Sequence, residues 1–144
     1  MKKRLVVLAI MAAAALPAIA IGATADKGTV TAKMTGKAEV PDKGAPGATG
    51  NASFTVDTGT GKICWTFTNV KGIDKPMASH IHEAGKGKPG PVVVPLGKAY
   101  KAKGCTTSKS EAGDVLEHPG DYYVNIHTAK YPNGAVRGQL VAGM

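Results

Sequence analysis

The sequence predicts an all-β protein, with one antiparallel, Greek-key-like β-sandwich of seven or eight short strands. Three observations predict this class. After residue 25 no window repeats apolar residues at the helical spacings of three and four, several short segments alternate with a period of two, and Gly, Pro, Asn and Asp separate those segments. Short strands joined by turn residues are typical of sandwiches. The chain has 144 residues, enough for a single core, so we expect one domain.

Seven segments carry the alternation expected of strands. In chain order they are Thr29–Met34, Ala48–Val56, Lys62–Val70, Ala78–Glu83, Pro91–Leu96, Asp121–Thr128 and Ala135–Val141. The clearest is the third, in which Ile63, Trp65 and Phe67 alternate with smaller or polar residues and are expected to face the core. Pro132–Gly134 has the composition of a hairpin turn between the last two strands. Glu111–His118 is expected to hold at most one short helical turn.

Residues 1–25 have the pattern of a secretory signal peptide. The basic start Lys2–Arg4 precedes the apolar run Leu5–Leu16, and small residues follow. Ala18–Ala20 and Ala23–Ala25 both fit a cleavage site, and we favour the second, which leaves a domain of residues 26–144. The alternative is an uncleaved anchor, but the run is shorter than the about 20 apolar residues of a membrane span, and Pro17 follows it. We therefore expect a periplasmic or extracellular protein with no stable membrane span after cleavage.

The charge of the mature chain is moderately positive. Cleavage removes three of the 18 Lys and Arg and none of the 10 Asp and Glu, leaving 15 basic and 10 acidic residues and a net charge of +5. The lysines are scattered among Gly, Pro and Thr, whereas a nucleic-acid footprint would be clustered. We expect no nucleic-acid partner, and a surface that favours an anionic envelope polymer or an unidentified protein partner.

The two cysteines, Cys64 and Cys105, predict one disulfide in an exported chain. A bridge closing a loop of this length stabilises a fold by about 4 kcal/mol in the chain-entropy model. The alternative is a catalytic or metal-binding thiol, which is less consistent with an oxidising compartment.

The most chemically suggestive pattern is the pair His80-x-His82. Residues two apart on a strand point to the same face, about 6.6 Å from each other, so the two rings can tilt toward one ion. His127 shares a face of its own strand with Asn125 and Tyr123. If the two strands are neighbours, three histidines converge. Three neutral imidazoles with an open position suit one copper or zinc ion.

A structural reading of these histidines stays open beside the metal site. A His-x-His pair next to a Gly-rich loop is also able to order that loop by hydrogen bonds. For a metal site, Glu83 is the candidate that orients His82, and Asn125 the candidate that orients His127.

Arg137 also has two interpretations. It lies on the polar face of its strand, where it either holds an anion near a metal or pairs with Glu39, and the ion pair is the default. His118 is expected to be an exposed bystander. No Ser-His-Asp order, paired carboxylates or phosphate loop occurs in a convincing context, so no catalytic residue is assigned.

Four segments follow one another in a characteristic order, and they are Gly36–Pro41 (GKAEVP), Ala78–His82 (ASHIH), Gly90–Leu96 (GPVVVPL) and Tyr122–Leu140 with its YVNIHT and NGAVRGQL runs. Taken together they resemble the CHRD domain, the module named after chordin and found in many bacterial exported proteins. The resemblance covers nearly all of the mature chain, and one departure is Asp42, where the family usually has a second proline. It implies an exported module without a well-established biochemical role; the growth-factor binding of chordin belongs to a multidomain animal protein.

A more distant similarity of pattern is to copper-zinc superoxide dismutase. The order of His-x-His and a later strand histidine is similar to that of the copper ligands of this enzyme, which implies a copper-binding role for His80, His82 and His127. The arginine before the closing strand is similar to its substrate-guiding arginine, which implies that role for Arg137. The histidine-rich loop that holds zinc in that enzyme has no counterpart here. We therefore expect a non-enzymatic exported module with a three-histidine metal site. The alternatives are a mononuclear copper redox enzyme of dismutase-like fold and a metal-free interaction or adhesion domain.

Overall fold

The computed structural model describes residues 27–144, in which nine strands join one antiparallel sheet. The strands are β1 (Lys27–Thr35), β2 (Thr49–Asp57), β3 (Lys62–Lys71), β4 (Pro76–Glu83), β5 (Val92–Pro95), β6 (Lys103–Thr107), β7 (Tyr122–Thr128), β8 (Val136–Gln139) and β9 (Val141–Ala142). The helical elements are one α-helix, α1 (Ala112–Glu117), and two 3-10 turns, Gly36–Ala38 and Pro119–Asp121. The predicted all-β, antiparallel, single-domain class is confirmed.

The strand order is β5-β4-β7-β8-β1-β2-β3-β6, with β9 also paired to β1. The first strand thus lies in the middle of the sheet beside the penultimate one, as in Greek-key connections. The segment after β5 bridges the gap between the sheet's two ends, because the amides of Leu96 and Tyr100 donate to carbonyls of β4 and the carbonyl of Ala102 accepts from β3. The sheet is therefore nearly closed.

The apolar core fills the inside of this curled sheet. Phe54 is completely buried and Trp65 is 3% exposed, as expected for the largest apolar side chains. In β3 the residues Ile63, Trp65 and Phe67 point inward while their neighbours point outward, which confirms the predicted alternation. The indole N–H of Trp65 donates to the carbonyl of Lys101 at 2.9 Å, so its one polar atom is satisfied.

Every predicted strand is present, and two features differ from the expectation. The strand β6 was not predicted because its residues lack apolar alternation. It lies at the edge of the sheet, paired to β3. The predicted Cys64–Cys105 disulfide joins directly opposed residues of these two strands. The last predicted strand is divided into β8 and β9, because the amide of Leu140 between them donates to the carbonyl of Tyr122. The expected helical turn is α1, which buries Ala112 and Val115.

The predicted signal peptide lies outside the described residues. Between residues 27 and 144, no helix has the length and apolar character needed to cross a membrane.

Candidate metal centre

The candidate site lies on the outer face of the sheet, where β4, β7 and β8 are neighbours. Opposed pairs place His80 beside Asn125, His82 beside Tyr123, and Asn125 beside Arg137. Residues alternate in and out along a strand, so the same strands give their apolar side chains to the core and their polar side chains to this face. The pairing of β4 with β7 meets the condition on which convergence of the histidines depended.

The three histidines come together as the strand pairing requires. His80 Nδ1 lies 3.1 Å from His127 Nε2. One ligand nitrogen from each of His80, His82 and His127 lies within 4.8 Å of the other two. His82 is 8% exposed, whereas the other two are half-buried. The cluster therefore opens to solvent on the side of His80 and His127.

Backbone carbonyls fix the orientation of two of the rings. His82 Nδ1 lies 3.0 Å from the carbonyl of Gly90, and His127 Nδ1 lies 2.8 Å from the carbonyl of Pro132. A carbonyl oxygen only accepts, so each Nδ1 carries the proton and donates. In the neutral ring each Nε2 then keeps a lone pair. Metal-binding histidines are usually oriented in this way, by a carbonyl on the nitrogen that does not bind the metal.

The carboxamide of Asn125 joins the two oriented rings. Its terminal atom, placed as Oδ1, lies 3.0 Å from His82 Nε2 and 2.9 Å from His127 Nε2. Since neutral rings that donate through Nδ1 present lone pairs here, the group facing them has to donate. We assign the amide NH₂ to this position, because an amide rotated by 180° has nearly the same shape. Each of its two N–H groups then donates to one imidazole.

Burial keeps the ring nitrogens free of extra protons. The pKa of His80 is lowered from 6.5 to about 4, mainly by burial and in addition by the neighbouring His127 and His82. The pKa of His82 is also lowered by burial, although its hydrogen bond to the Gly90 carbonyl partly opposes the shift. Both rings are neutral at pH 7, which is the form that binds metals.

Arg137 and Tyr123 form the inner wall of the site. The ring of Tyr123 stacks on His82 with centroids 4.6 Å apart. The guanidinium carbon of Arg137 also lies over the Tyr123 ring, 3.4 Å from its centroid. The guanidinium also donates to the carbonyls of Lys88 at 2.8 Å and Gly85 at 3.2 Å. Arg137 is only 1% exposed, so it fastens the loop between β4 and β5 over the polar face.

The default ion pair between Arg137 and Glu39 does not form. The only ion pair within residues 27–144 joins Lys27 and Asp57. Because the guanidinium is already committed to carbonyls and a ring, it is not free to hold an anion beside the histidines. The buried cation and the Glu39 carboxyl still attract each other at longer range.

Glu39 is an acidic group sealed under this face. It is 2% exposed, its Oε1 has no hydrogen-bond partner among the described residues, and a side chain at Gly134 would collide with it. Burial raises the pKa of Glu39 to about 7, against the opposing effect of the positive charge on Arg137. With the Asn125 amide nitrogen toward the histidines, its oxygen faces Glu39 and is able to accept from the carboxyl group when that group is protonated.

Not every residue proposed from the sequence belongs to the site. Glu83 is exposed, and both ring nitrogens of His82 have other partners, so Glu83 does not orient that ring. His118 is exposed, outside the cluster. The stacking of Tyr123 was missed, although its position two residues before Asn125 on one strand was the signal for it.

Fold and site define an all-β module whose polar outer face, covered by loops, carries a histidine cluster. The sequence pattern of the CHRD domain matches residues 30–140, and the chain belongs to this family. No curated protein and no solved structure matches the chain. The similarity to copper-zinc superoxide dismutase receives no support from these comparisons.

Proposed function

We propose that this protein is an exported CHRD-domain module that binds one transition-metal ion, copper or zinc, through His80, His82 and His127. The observation that carries the proposal is the direction of the ring nitrogens. His82 and His127 each donate Nδ1–H to a backbone carbonyl, so the Nε2 atoms of both rings face the centre of the cluster. His80 directs its Nδ1 toward the same centre, next to His127 Nε2.

The spacing of the nitrogens fits a metal after small movements. Two imidazoles bound tetrahedrally at about 2.0–2.1 Å have nitrogens about 3.3 Å apart. The distance between His80 Nδ1 and His127 Nε2 is 3.1 Å. The remaining separations, up to 4.8 Å, require His82 to rotate toward the pair. Binding also requires His82 and His127 to release the Asn125 amide, and His80 to carry its proton on Nε2. A position open to solvent remains for water or a fourth ligand.

Export is supported by two independent features. The N-terminal 25 residues have the basic, apolar and small-residue order of a signal peptide. The Cys64–Cys105 disulfide is typical of chains that mature outside the cytoplasm. Fractionation of cells expressing the full chain, with N-terminal sequencing, is expected to find a protein that begins at Asp26. Recovery of the unprocessed chain from the cytoplasm would contradict export.

Metal binding is tested on tag-free protein made from the full chain. After chelator treatment, calorimetric titration with Cu²⁺ and with Zn²⁺ is expected to show one equivalent bound at micromolar affinity or better by at least one of the two ions. His80→Ala and His82→Ala are each expected to weaken binding at least about tenfold, while the exposed His118→Ala leaves it unchanged. Electron paramagnetic resonance of a Cu²⁺ form should report nitrogen ligands. Equal losses in all three variants would refute the assignment.

Two other functions are outcomes of the same experiment. Absence of stoichiometric binding would leave the histidines as a metal-free polar network that orders the loops carrying Gly90 and Pro132, in an interaction domain. Turnover of superoxide or peroxide by a copper-loaded protein would indicate a redox enzyme. The engagement of Arg137 with carbonyls favours a binding role, because no free guanidinium remains to attract an anionic substrate.

A further inference from the structure

A separate cleft lies where β1, β8 and β9 meet the loops that follow β1 and β4. Its volume is about 640 Å³, within the range of cavities that hold small ligands. The accessible aliphatic side chains of its lining are Ala38, Val40 and Val141. Leu140 also borders the cleft, but its side chain is completely buried in the core. None of the three histidines lines it, so it is distinct from the candidate metal centre.

The charges around the cleft are all of one sign. Four exposed lysines line it, each from a different segment of the chain: Lys33 from β1, Lys37 from the first 3-10 turn, Lys43 from the next loop and Lys86 from the loop after β4. No acidic residue of the described chain lines the cleft, and none of the four lysines is in an ion pair. Four unneutralised ammonium groups around one concavity favour an anion there.

The chemical type of the cationic side chains around the cleft indicates what kind of anionic ligand it binds. Arg137 also lines the cleft, but its guanidinium is committed to Gly85, Lys88 and Tyr123. The available groups are therefore lysine ammoniums, which act as point charges and lack the planar fork that selects a single phosphate or carboxylate. The Lys43 ammonium donates one of its hydrogens to the carbonyl of Lys37 at 3.3 Å and keeps two further donors. Such a set suits a ligand that carries several negative charges along its length.

The uncharged lining argues against a nucleic acid. Sites for single-stranded nucleic acid supply aromatic rings on which bases stack, and no aromatic residue of the described chain lines this cleft. Its aliphatic surface, including the 55% exposed Val141, instead suits the C–H faces of sugar rings, which gain from leaving water. We propose that the cleft binds a segment of an acidic polysaccharide, with carboxylates at the lysines and ring faces on the aliphatic side chains.

The test uses protein from the full chain and oligogalacturonate as the probe, with its neutral methyl ester as the matched ligand. Fluorescence anisotropy is expected to show binding of the acid, a strong decrease on raising the salt concentration, and no binding of the ester. The pair Lys37→Gln and Lys86→Gln is expected to weaken binding about tenfold. The control pair Lys75→Gln and Lys103→Gln removes the same charge from exposed positions outside the cleft and should change affinity less than about twofold.

A further variant separates a sugar site from a general polyanion site. Val141→Ser keeps the charge but removes apolar contact, and it is expected to weaken oligogalacturonate about threefold without affecting binding of inorganic polyphosphate. Equal losses in the two lysine pairs would overturn the proposal in favour of attraction by net charge. Preferential binding of polyphosphate or of a single-stranded oligonucleotide would overturn the assignment to a polysaccharide. Unchanged melting temperatures of the variants serve as the folding control.

Discussion

Replacing Arg137 with lysine tests whether one buried guanidinium holds the loop between β4 and β5 in place. Arg137 donates to the carbonyls of Lys88 at 2.8 Å and Gly85 at 3.2 Å and stacks on Tyr123 at 3.4 Å. Lysine keeps the charge but reaches only one carbonyl and loses the planar stack. A charge-assisted hydrogen bond contributes about 1.5–3 kcal/mol, and a desolvated cation–ring contact about 1–2 kcal/mol. We expect Arg137→Lys to lower the free energy of unfolding by about 3 kcal/mol.

Urea unfolding at pH 7, followed by the fluorescence of the single tryptophan Trp65, measures this change. The domain is expected to have a total stability of about 5–15 kcal/mol, so the loss is readily resolved. Hydrogen exchange should also become faster in residues 84–91. Lys88→Gln is the matched control, because the bond is to the Lys88 carbonyl and its exposed side chain is not involved. A loss below about 1 kcal/mol in Arg137→Lys would refute the reasoning.

The pH dependence of stability should contain two opposed contributions. The pKa of Glu39 is raised from 4.5 to about 7 in the folded protein, so its ionisation lowers stability as the pH rises through that interval; the pKa of His80 is lowered from 6.5 to about 4, so stability falls as the pH drops from 6.5 toward 4. Glu39→Gln is expected to remove the first contribution, which is up to about 3 kcal/mol. The contribution of the half-buried His80, about 1–2 kcal/mol after allowance for solvent screening, should remain. If urea unfolding of the variant has the same pH profile as the unmodified protein, this explanation is wrong. Replacing both Cys64 and Cys105 with serine, which opens a loop with a sequence separation of 41, should lower the free energy of unfolding by about 4 kcal/mol, and a thermal midpoint unchanged from the disulfide-bonded protein would show that the bridge adds nothing.

The strands that could be predicted are those whose own residues alternate. In β3, Ile63, Trp65 and Phe67 face the core because their side chains gain most from leaving water, and that preference is written in the order of the residues. The strand β6 has no such order. It exists because β3 offers unpaired backbone groups at its edge and because Cys105 lies opposite Cys64, which are properties of the folded chain.

The candidate metal centre also has one part that the sequence predicts and one part that depends on the tertiary structure. That His80 and His82 share a face, and that His127 shares one with Asn125, follows from the two-residue period of a strand. Whether these two faces are the same one depends on the pairing of β4 with β7, which brings together residues at least 39 positions apart in the chain.

The sequence by itself determined the strand-rich class, the disulfide partners and the identities of the three histidines, because short-range alternation and residue chemistry are local properties. Tertiary structure alone decided which partner each side chain received. It directed Arg137 to the carbonyls of Gly85 and Lys88, not to Glu39, and it turned His82 toward Gly90, not Glu83. A buried polar group takes the partner that the surrounding loops present, and the position of those loops depends on how the whole sheet closes.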